Sequence, residues 1–246
     1  MKKYSKAIAI SFAFIMLSAI LYTIHFYIFR DSHHIFIYLL GDVAFLPIEV
    51  LLVSLIFSKI IDDRDKQEKL KKINMLLGVF FSESGVELMK LFAQNDKNLN
   101  QFQDALLIKL NWTSKDYKNS IKIIKDFDFH LEFDGTSLVL LEEFLSSKRN
   151  NLLMFFDNPT LIEHETFTDL ILALSHVEQE LSNRKDLKRL TTRDQEHVVI
   201  DIERVYKLLF LEWLQYMNHL RKAYPFLYSF SVRTNPFDPN ADVEIQ

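Results

Sequence analysis

Apolar residues are concentrated at the amino end of this chain. From Ala7 to Phe29, 23 consecutive positions lack Asp, Glu, Lys and Arg, and at 1.5 Å per residue they make about 34 Å of helix against a bilayer core of about 30 Å. After the polar break Arg30-Asp31-Ser32-His33-His34, a second apolar stretch runs from Ile35 to about Ser58. It contains Asp42, Pro47 and Glu49, and 16 of its residues are Leu, Ile, Val or Phe. Those 16 favour insertion by roughly 5 to 10 kcal/mol, which outweighs about 5 to 7 kcal/mol for two carboxyls at the bilayer centre. The expected element is a two-helix transmembrane hairpin over residues 1–61, with helices at about 7–29 and 35–61. A signal peptide would need a shorter apolar region and a small-x-small cleavage site, and neither is present.

Beyond residue 61 the pattern becomes amphipathic. Leu70, Ile73, Leu77, Phe80, Phe81, Leu88, Leu91 and Phe92 fall on one face at helical spacing, which predicts a juxtamembrane helix over 62–95 continuing the second apolar helix. Leu76, Val79, Val86 and Met89 lie outside that stripe and call for a second packing surface, either in this chain or in a neighbouring copy. Gly78 and Gly85 share a face and allow close helix approach. A helical domain over 96–224 follows, with short helices expected at about 102–110 and, behind Thr113 and Ser114, at about 115–125. Phe127, Phe129, Leu131 and Phe133 alternate with Asp128, His130 and Glu132, the pattern of one short extended segment packed on helices or a two-stranded remnant. Further helices are expected from the cap Ser137 to about Ser147, from Lys148 to Phe156, from about 160 to 183 after the break at Asn158-Pro159, and from about 194 to 223. The last is apolar almost all round between Val205 and Met217, interrupted by Lys207, Glu212 and Gln215, and reads as the central core helix. Residues 225–246 read as an irregular tail. The fold class is all-α, and 4 Gly with 5 Pro in 246 residues agree with it, since average usage would give roughly 30.

Composition removes several chemistries. The absence of Cys excludes disulfides, a thiol nucleophile and thiolate zinc sites, and the scarce, scattered glycines exclude a P-loop and a dinucleotide fingerprint. Residues 62–246 carry 24 Lys plus Arg against 30 Asp plus Glu, a formal −6 that argues against nucleic acid as a partner. Lys2, Lys3 and Lys6 precede the hairpin, and Lys59, Arg64, Lys66, Lys69, Lys71 and Lys72 follow it, whereas the connection has only Arg30. The positive-inside rule therefore places both termini in the cytoplasm of a multi-pass protein of the inner membrane. Tyr22, Tyr27 and Tyr38 would form an outer aromatic belt.

The candidate chemistry begins in the hairpin. Asp42 and Glu49 are seven residues apart on nearly one helix face, and Pro47 between them cannot donate to the Val43 carbonyl. In a tight hairpin Tyr22 and His25 approach the depth of Asp42, and Ser18 that of Glu49. This set can act as interhelical glue or as a cation or proton path. Arg184, Lys185, Lys188 and Arg189, with Arg193 nearby, can bind an anion or lipid headgroup or complement a helix C-terminus. Arg233 and Asn235 are candidate partner contacts. The pairs His176 with Glu180 and His197 with Asp201 could each offer two ligands from one helix face, but no HExxH motif accompanies them and no metal or other cofactor is expected. Glu163-His164-Glu165 reads as first-turn acids complementing a helix dipole.

Five segments carry a resemblance. They are Gly41-Asp42-Val43-Ala44-Phe45-Leu46-Pro47-Ile48-Glu49; Leu77-Gly78-Val79-Phe80-Phe81-Ser82-Glu83; His164-Glu165-Thr166-Phe167-Thr168-Asp169-Leu170; and Tyr224-Pro225-Phe226-Leu227 with Arg233-Thr234-Asn235-Pro236-Phe237-Asp238. Together the chain resembles a family of uncharacterised prokaryotic two-helix membrane proteins with a helical cytoplasmic domain. The resemblance implies a membrane location and brings no activity, substrate or catalytic residue. The expected function is a non-enzymatic oligomeric signalling or scaffold protein, coupled to the hairpin through the helix near residues 58 to 94, with the lipid bilayer, a second copy and a protein partner as its contacts. The alternative is a small oligomeric channel or pore-forming effector lined by the acids of the second helix.

Overall fold

The structure, a computed structural model, describes residues 2–158, 161 and 164–244, and the side chains from residue 10 onward. It divides into two compact units, Met1–Lys66 and Gln67–Gln246. Among the described residues the structure is predominantly helical and has no strand.

The first unit holds α1 (Lys2–Phe29) and most of α2 (Ser32–Phe80). The connection is only Arg30 and Asp31, shorter than the five-residue break expected. Asp31 Oδ1 accepts from the backbone N–H of His33 at 2.9 Å and of His34 at 3.1 Å, so it caps α2 and starts the helix three residues early. Arg30 takes a left-handed conformation, φ 49°, and its N–H bonds the Phe26 carbonyl at 2.8 Å, closing α1 as a helix C-terminus does. Pro47 lies inside α2. Among the side chains of residues 10–61 none is buried, and only His25 and Ile35 are half-buried.

The second unit is built differently, around one continuous apolar core. The last turns of α2 enter it through Ile73, Leu77 and Phe80. A single π-helical turn, Phe81–Gly85, then leads into α3 (Val86–Gln94). A π turn inserts one residue into the helical count, and the inward face moves by one position. Met89, placed outside the stripe by sequence, is fully buried, and Leu91 is only half-buried. Gly85 makes the turn possible, since a Cβ there would sit 2.5 Å from the Phe81 ring. Gly78 does allow a close approach, since a Cβ there would sit 3.0 Å from the Tyr216 hydroxyl.

In place of the helix expected at about 102–110 there are two short 3-10 turns, Leu99–Gln101 just before it and Gln103–Ala105 within it. Helix α4 (Ser114–Asp126) starts at the capping box of Thr113 and Asp116, with Asp116 Oδ2 2.6 Å from the Thr113 N–H. Helix α5 (Gly135–Phe156) is one element where two were expected, and its cap is Asp134, which accepts from the Ser137 N–H at 2.7 Å; Ser137 lies inside the first turn. Then come α6 (Glu165–Ser182), the 3-10 turn Leu187–Arg189, α7 (Thr192–Ala223) and α8 (Pro225–Arg233). Thr191 caps α7 through the Asp194 N–H at 3.3 Å. The segment expected as an irregular tail thus opens with a helix, because Pro225 supplies the fixed φ favoured at a first helical position. Pro159 and Glu163 lie outside the described residues. Helix α7 is the central element, packed by α3, α4, α6 and α8.

The alternating segment 127–133 is extended and forms one antiparallel bridge, Leu131 to Asp96. Helix α7 replaces the missing strand partner. Lys207 Nζ donates to the Phe127 carbonyl at 3.2 Å, the Leu131 N–H donates to Glu203 Oε1 at 2.8 Å, and Gln195 Nε2 donates to the Phe133 carbonyl. From 195 to 207 a helix rises about 18 Å, and from 127 to 133 an extended chain covers about 20 Å. The two lengths match, so one helix face can satisfy the segment's backbone at both ends and in the middle. Its apolar face packs as rings: Phe102 lies 4.5 Å from Phe127 and 5.1 Å from Phe129.

Candidate functional site

In the first unit Ser18, Tyr22 and His25 of α1 and Tyr38 and Asp42 of α2 line one cleft of about 530 Å³. The expected neighbours of Asp42 are therefore present. Ser18, expected at the depth of Glu49, lines this cleft with Asp42. Neither Pro47 nor Glu49 lines the cleft, and Glu49 is exposed. The His25 ring stands 4.7 Å from Phe29 and 6.2 Å from His34, and its Nδ1 is buried without a hydrogen-bond partner.

In the second unit the basic group is largely neutralised by the chain's own acids. Arg184 grips Asp194 with two nitrogens, at 2.8 and 3.2 Å, and reaches Glu180 Oε2 at 2.7 Å. The hydrogen bonds from Arg184 hold the carboxyls of Asp194 and Glu180 below their usual range, and those acids raise the guanidinium in turn. Arg189 pairs with Asp186 at 3.6 Å. Lys185 and Lys188 are exposed, and the four residues do not converge on one anion. The geometry of Arg184 is that of a brace between α6 and α7.

The partner-contact pair is also split. Asn235, at 2% exposure, is a core residue. Its Nδ2 donates to the Leu106 carbonyl at 2.8 Å, and its Oδ1 accepts from the Phe237 N–H at 3.0 Å. Arg233 is half-buried and donates to the Val243 carbonyl. A short Thr-Asn-Pro sequence carries no periodicity, so burial there is invisible until the tail is seen to fold back.

The two histidine pairs face each other across α6 and α7. His176 Nε2 is 3.4 Å and His197 Nε2 3.7 Å from Asp201 Oδ2, and His197 Nε2 is 3.9 Å from Glu180 Oε2. Among the described residues no group of three or more His, Asp or Glu is arranged to hold a metal ion.

The site that sequence reasoning passed over lies on α7. Glu212, Gln215, Tyr216, His219 and Ala223 form one face at helical spacing and, with the end of α2 and His164, line a cleft of about 580 Å³. Glu212 is fully buried. Gln215 Nε2 donates to its Oε1 at 3.4 Å, and among the described residues Oε2 has no hydrogen-bond partner. Burial pushes its carboxyl above the usual range, opposed by Thr166 and His164. His164 caps α6, its Nδ1 accepting from the Phe167 N–H at 3.3 Å, so Nε2 carries the proton of the neutral ring. His219 Nε2 is likewise unpartnered, and burial, aided by Lys222, pushes its imidazole down. An adjoining apolar groove of about 500 Å³ shares Asn74, Tyr216, His219 and Tyr224 with this cleft. The available signal was the lone acid in a 13-residue stretch apolar on every side, since such a residue is either paired or placed for a ligand.

A profile described as "Uncharacterized protein MJ1433, C-terminal helical domain" matches residues 69–233, and one described as "MJ1433, N-terminal helical domain" matches residues 2–61. Over 237 residues the chain is 43% identical to "Uncharacterized protein MJ1433" of Methanocaldococcus jannaschii, an alignment covering 96% of this chain and 94% of that protein. No solved structure matches.

Proposed function

Because the chain belongs to the MJ1433 family, matched over a helical domain in each of its two units, we propose that it is a non-enzymatic integral membrane protein whose helical domain serves as an oligomeric signalling or scaffold module. One observation carries the membrane reading. Ile10–Phe29 and a stretch of the helical run Ser32–Gln94 are long and apolar enough to cross a bilayer, and neither stretch is buried inside the protein. A soluble core helix would be covered by its own chain. Here Leu, Ile, Val and Phe side chains stand exposed along both helices, far more apolar surface than the few hundred Å² a soluble monomer usually shows. The basic flanks support a cytoplasmic helical domain in a multi-pass inner-membrane protein.

The oligomer reading rests on Glu49. It is exposed and does not line the cleft that holds Asp42, so in lipid it calls for a partner from another copy or a water-filled path. A neighbour's polar group is the simpler arrangement, and it supports the scaffold over the channel.

Alkaline carbonate extraction of membranes tests the first part: the protein should stay with the pellet, and release into the supernatant would refute membrane integration. A carboxy-terminal tag should resist protease added outside intact cells. For the oligomer, Glu49→Gln should retain the assembly seen by light scattering in mild detergent, and Glu49→Leu should weaken it. If both variants assemble like the parent and only the parent conducts in planar bilayers, the channel reading replaces the scaffold.

A further inference from the structure

We propose that the α7 cleft around Glu212 is a binding site for a small organic amine with an apolar body, its ammonium paired with the Glu212 carboxylate and its body laid against Tyr216 and Tyr224. The inference stands on the second unit alone and does not depend on the membrane reading.

The geometry selects this chemistry step by step. At about 580 Å³ the cleft has the size of a small-molecule site. Its deepest polar group is a carboxyl with no exposure and one oxygen without a partner. An unpaired buried acceptor of that kind is costly unless something completes it. An anion would meet this carboxyl with only Lys71 on an exposed position to offset it, while the His219 ring is held towards its neutral form by burial. A metal ion lacks three converging ligands among the described residues. Burial favours the protonated carboxyl in the empty cleft, and a cation bound beside it would shift Glu212 to the carboxylate, a charge pairing that a neutral hydroxyl compound cannot make. An ammonium group supplies both charge and donors, and Tyr216 and Tyr224 line the cleft, aromatic rings being attractive to a cation over their faces. The residues lining the cleft with Glu212 that carry or can carry charge are Lys71 from α2, His164 ahead of α6, Tyr216 and His219 on α7, and Tyr224 just after it. Among the described residues none of them is hydrogen-bonded to Glu212 Oε2.

The test uses the full-length protein in lipid nanodiscs, titrated calorimetrically with benzylamine, benzyl alcohol and phenylacetate against empty nanodiscs. Benzylamine should bind saturably, with the neutral and anionic probes at least about tenfold weaker, a difference one ion pair readily provides. Glu212→Gln should weaken benzylamine at least about tenfold while leaving benzyl alcohol unchanged. Equal binding of amine and alcohol to the parent protein, or no saturable amine binding below ~10 mM, would overturn the proposal without recourse to any variant. An amine affinity that survives Glu212→Gln would overturn the assignment to this cleft.

Discussion

Replacing Asn235 by Ala should destabilise the helical domain by several kilocalories, although the residue sits in a short polar segment near the carboxyl end. The side chain is 2% exposed, donates to the Leu106 carbonyl at 2.8 Å and accepts from the Phe237 N–H at 3.0 Å. Truncation leaves a carbonyl and an amide unpaired beside the core, at about 1 to 3 kcal/mol each. It also loosens Phe237, whose ring packs 5.2 Å from Phe210 and 5.6 Å from Trp213 and whose carbonyl accepts from Gln103 Nε2 at 2.7 Å. A loss of about 2 to 5 kcal/mol in a chain of this size lowers Tm by about 4 to 20 °C. Asn235→Asp should be at least as damaging, because it keeps the acceptor for Phe237 but loses the donor to Leu106 and buries a charge. The assay is thermal unfolding of the full-length protein followed by Trp fluorescence, with Trp213 as the near reporter. A surface contact would behave oppositely, since substitutions on an exposed polar segment change stability by about 0.5 kcal/mol or less. If both variants melt within about 2 °C of the parent, the buried-clasp reading of Asn235 is wrong.

Glu212→Gln makes a pH-dependent prediction. The folded carboxyl lies above its ordinary value of 4.5, so the folded protein holds its proton where the unfolded chain has released it, and stability falls as pH rises from about 4.5 to the raised folded value. The variant escapes this loss, and its Tm relative to the parent should climb between pH 4 and 8 by an amount equivalent to about 1.4 kcal/mol per unit of elevation; a flat difference would refute the buried, unpaired assignment. Gly135→Ala should cost about 1 to 3 kcal/mol in unfolding experiments, because a Cβ there meets the Lys188 backbone at 2.6 Å. Arg184→Lys should recover only part of the roughly 1.5 to 3 kcal/mol lost in Arg184→Ala, since an ammonium cannot make the two-pronged contact with Asp194; equal stability of the two variants would remove the brace.

Local pattern made most helices legible and left their company obscure. The long apolar stretch from Val205 to Met217 marked α7 as central, and the structure packs its neighbours around it. The period-two run at Phe127 to Phe133 was visible, but the partners of its backbone, Gln195, Glu203 and Lys207, are polar residues on a distant helix with no marker of their own. The π turn was hidden for a different reason. A single inserted residue leaves an amphipathic stripe almost intact and shows itself only as the exchange of Leu91 for Met89 in the core. Boundaries failed where a side chain outcompeted periodicity: Asp31 starts α2 early, and Asp134 takes the cap expected of Ser137.

The acids that interrupt apolar runs divide into solved and unsolved cases, and that division is where function concentrates. Glu203 is raised by burial, yet its Oε1 is engaged by the Leu131 N–H, so its position is explained by the fold. Asp42 shares a cleft with Ser18, Tyr22 and His25, and the hairpin offers it polar company. Glu49 and Glu212 lack such an account, one exposed on an apolar helix and the other fully buried with an unpartnered oxygen. Folding alone would favour an apolar residue at either position. Under the readings proposed above, a second copy would meet Glu49 and a bound cation would meet Glu212. A membrane scaffold that assembles through one acid and receives a ligand at the other would use both, and the two can be tested apart because they lie in separate units of the protein.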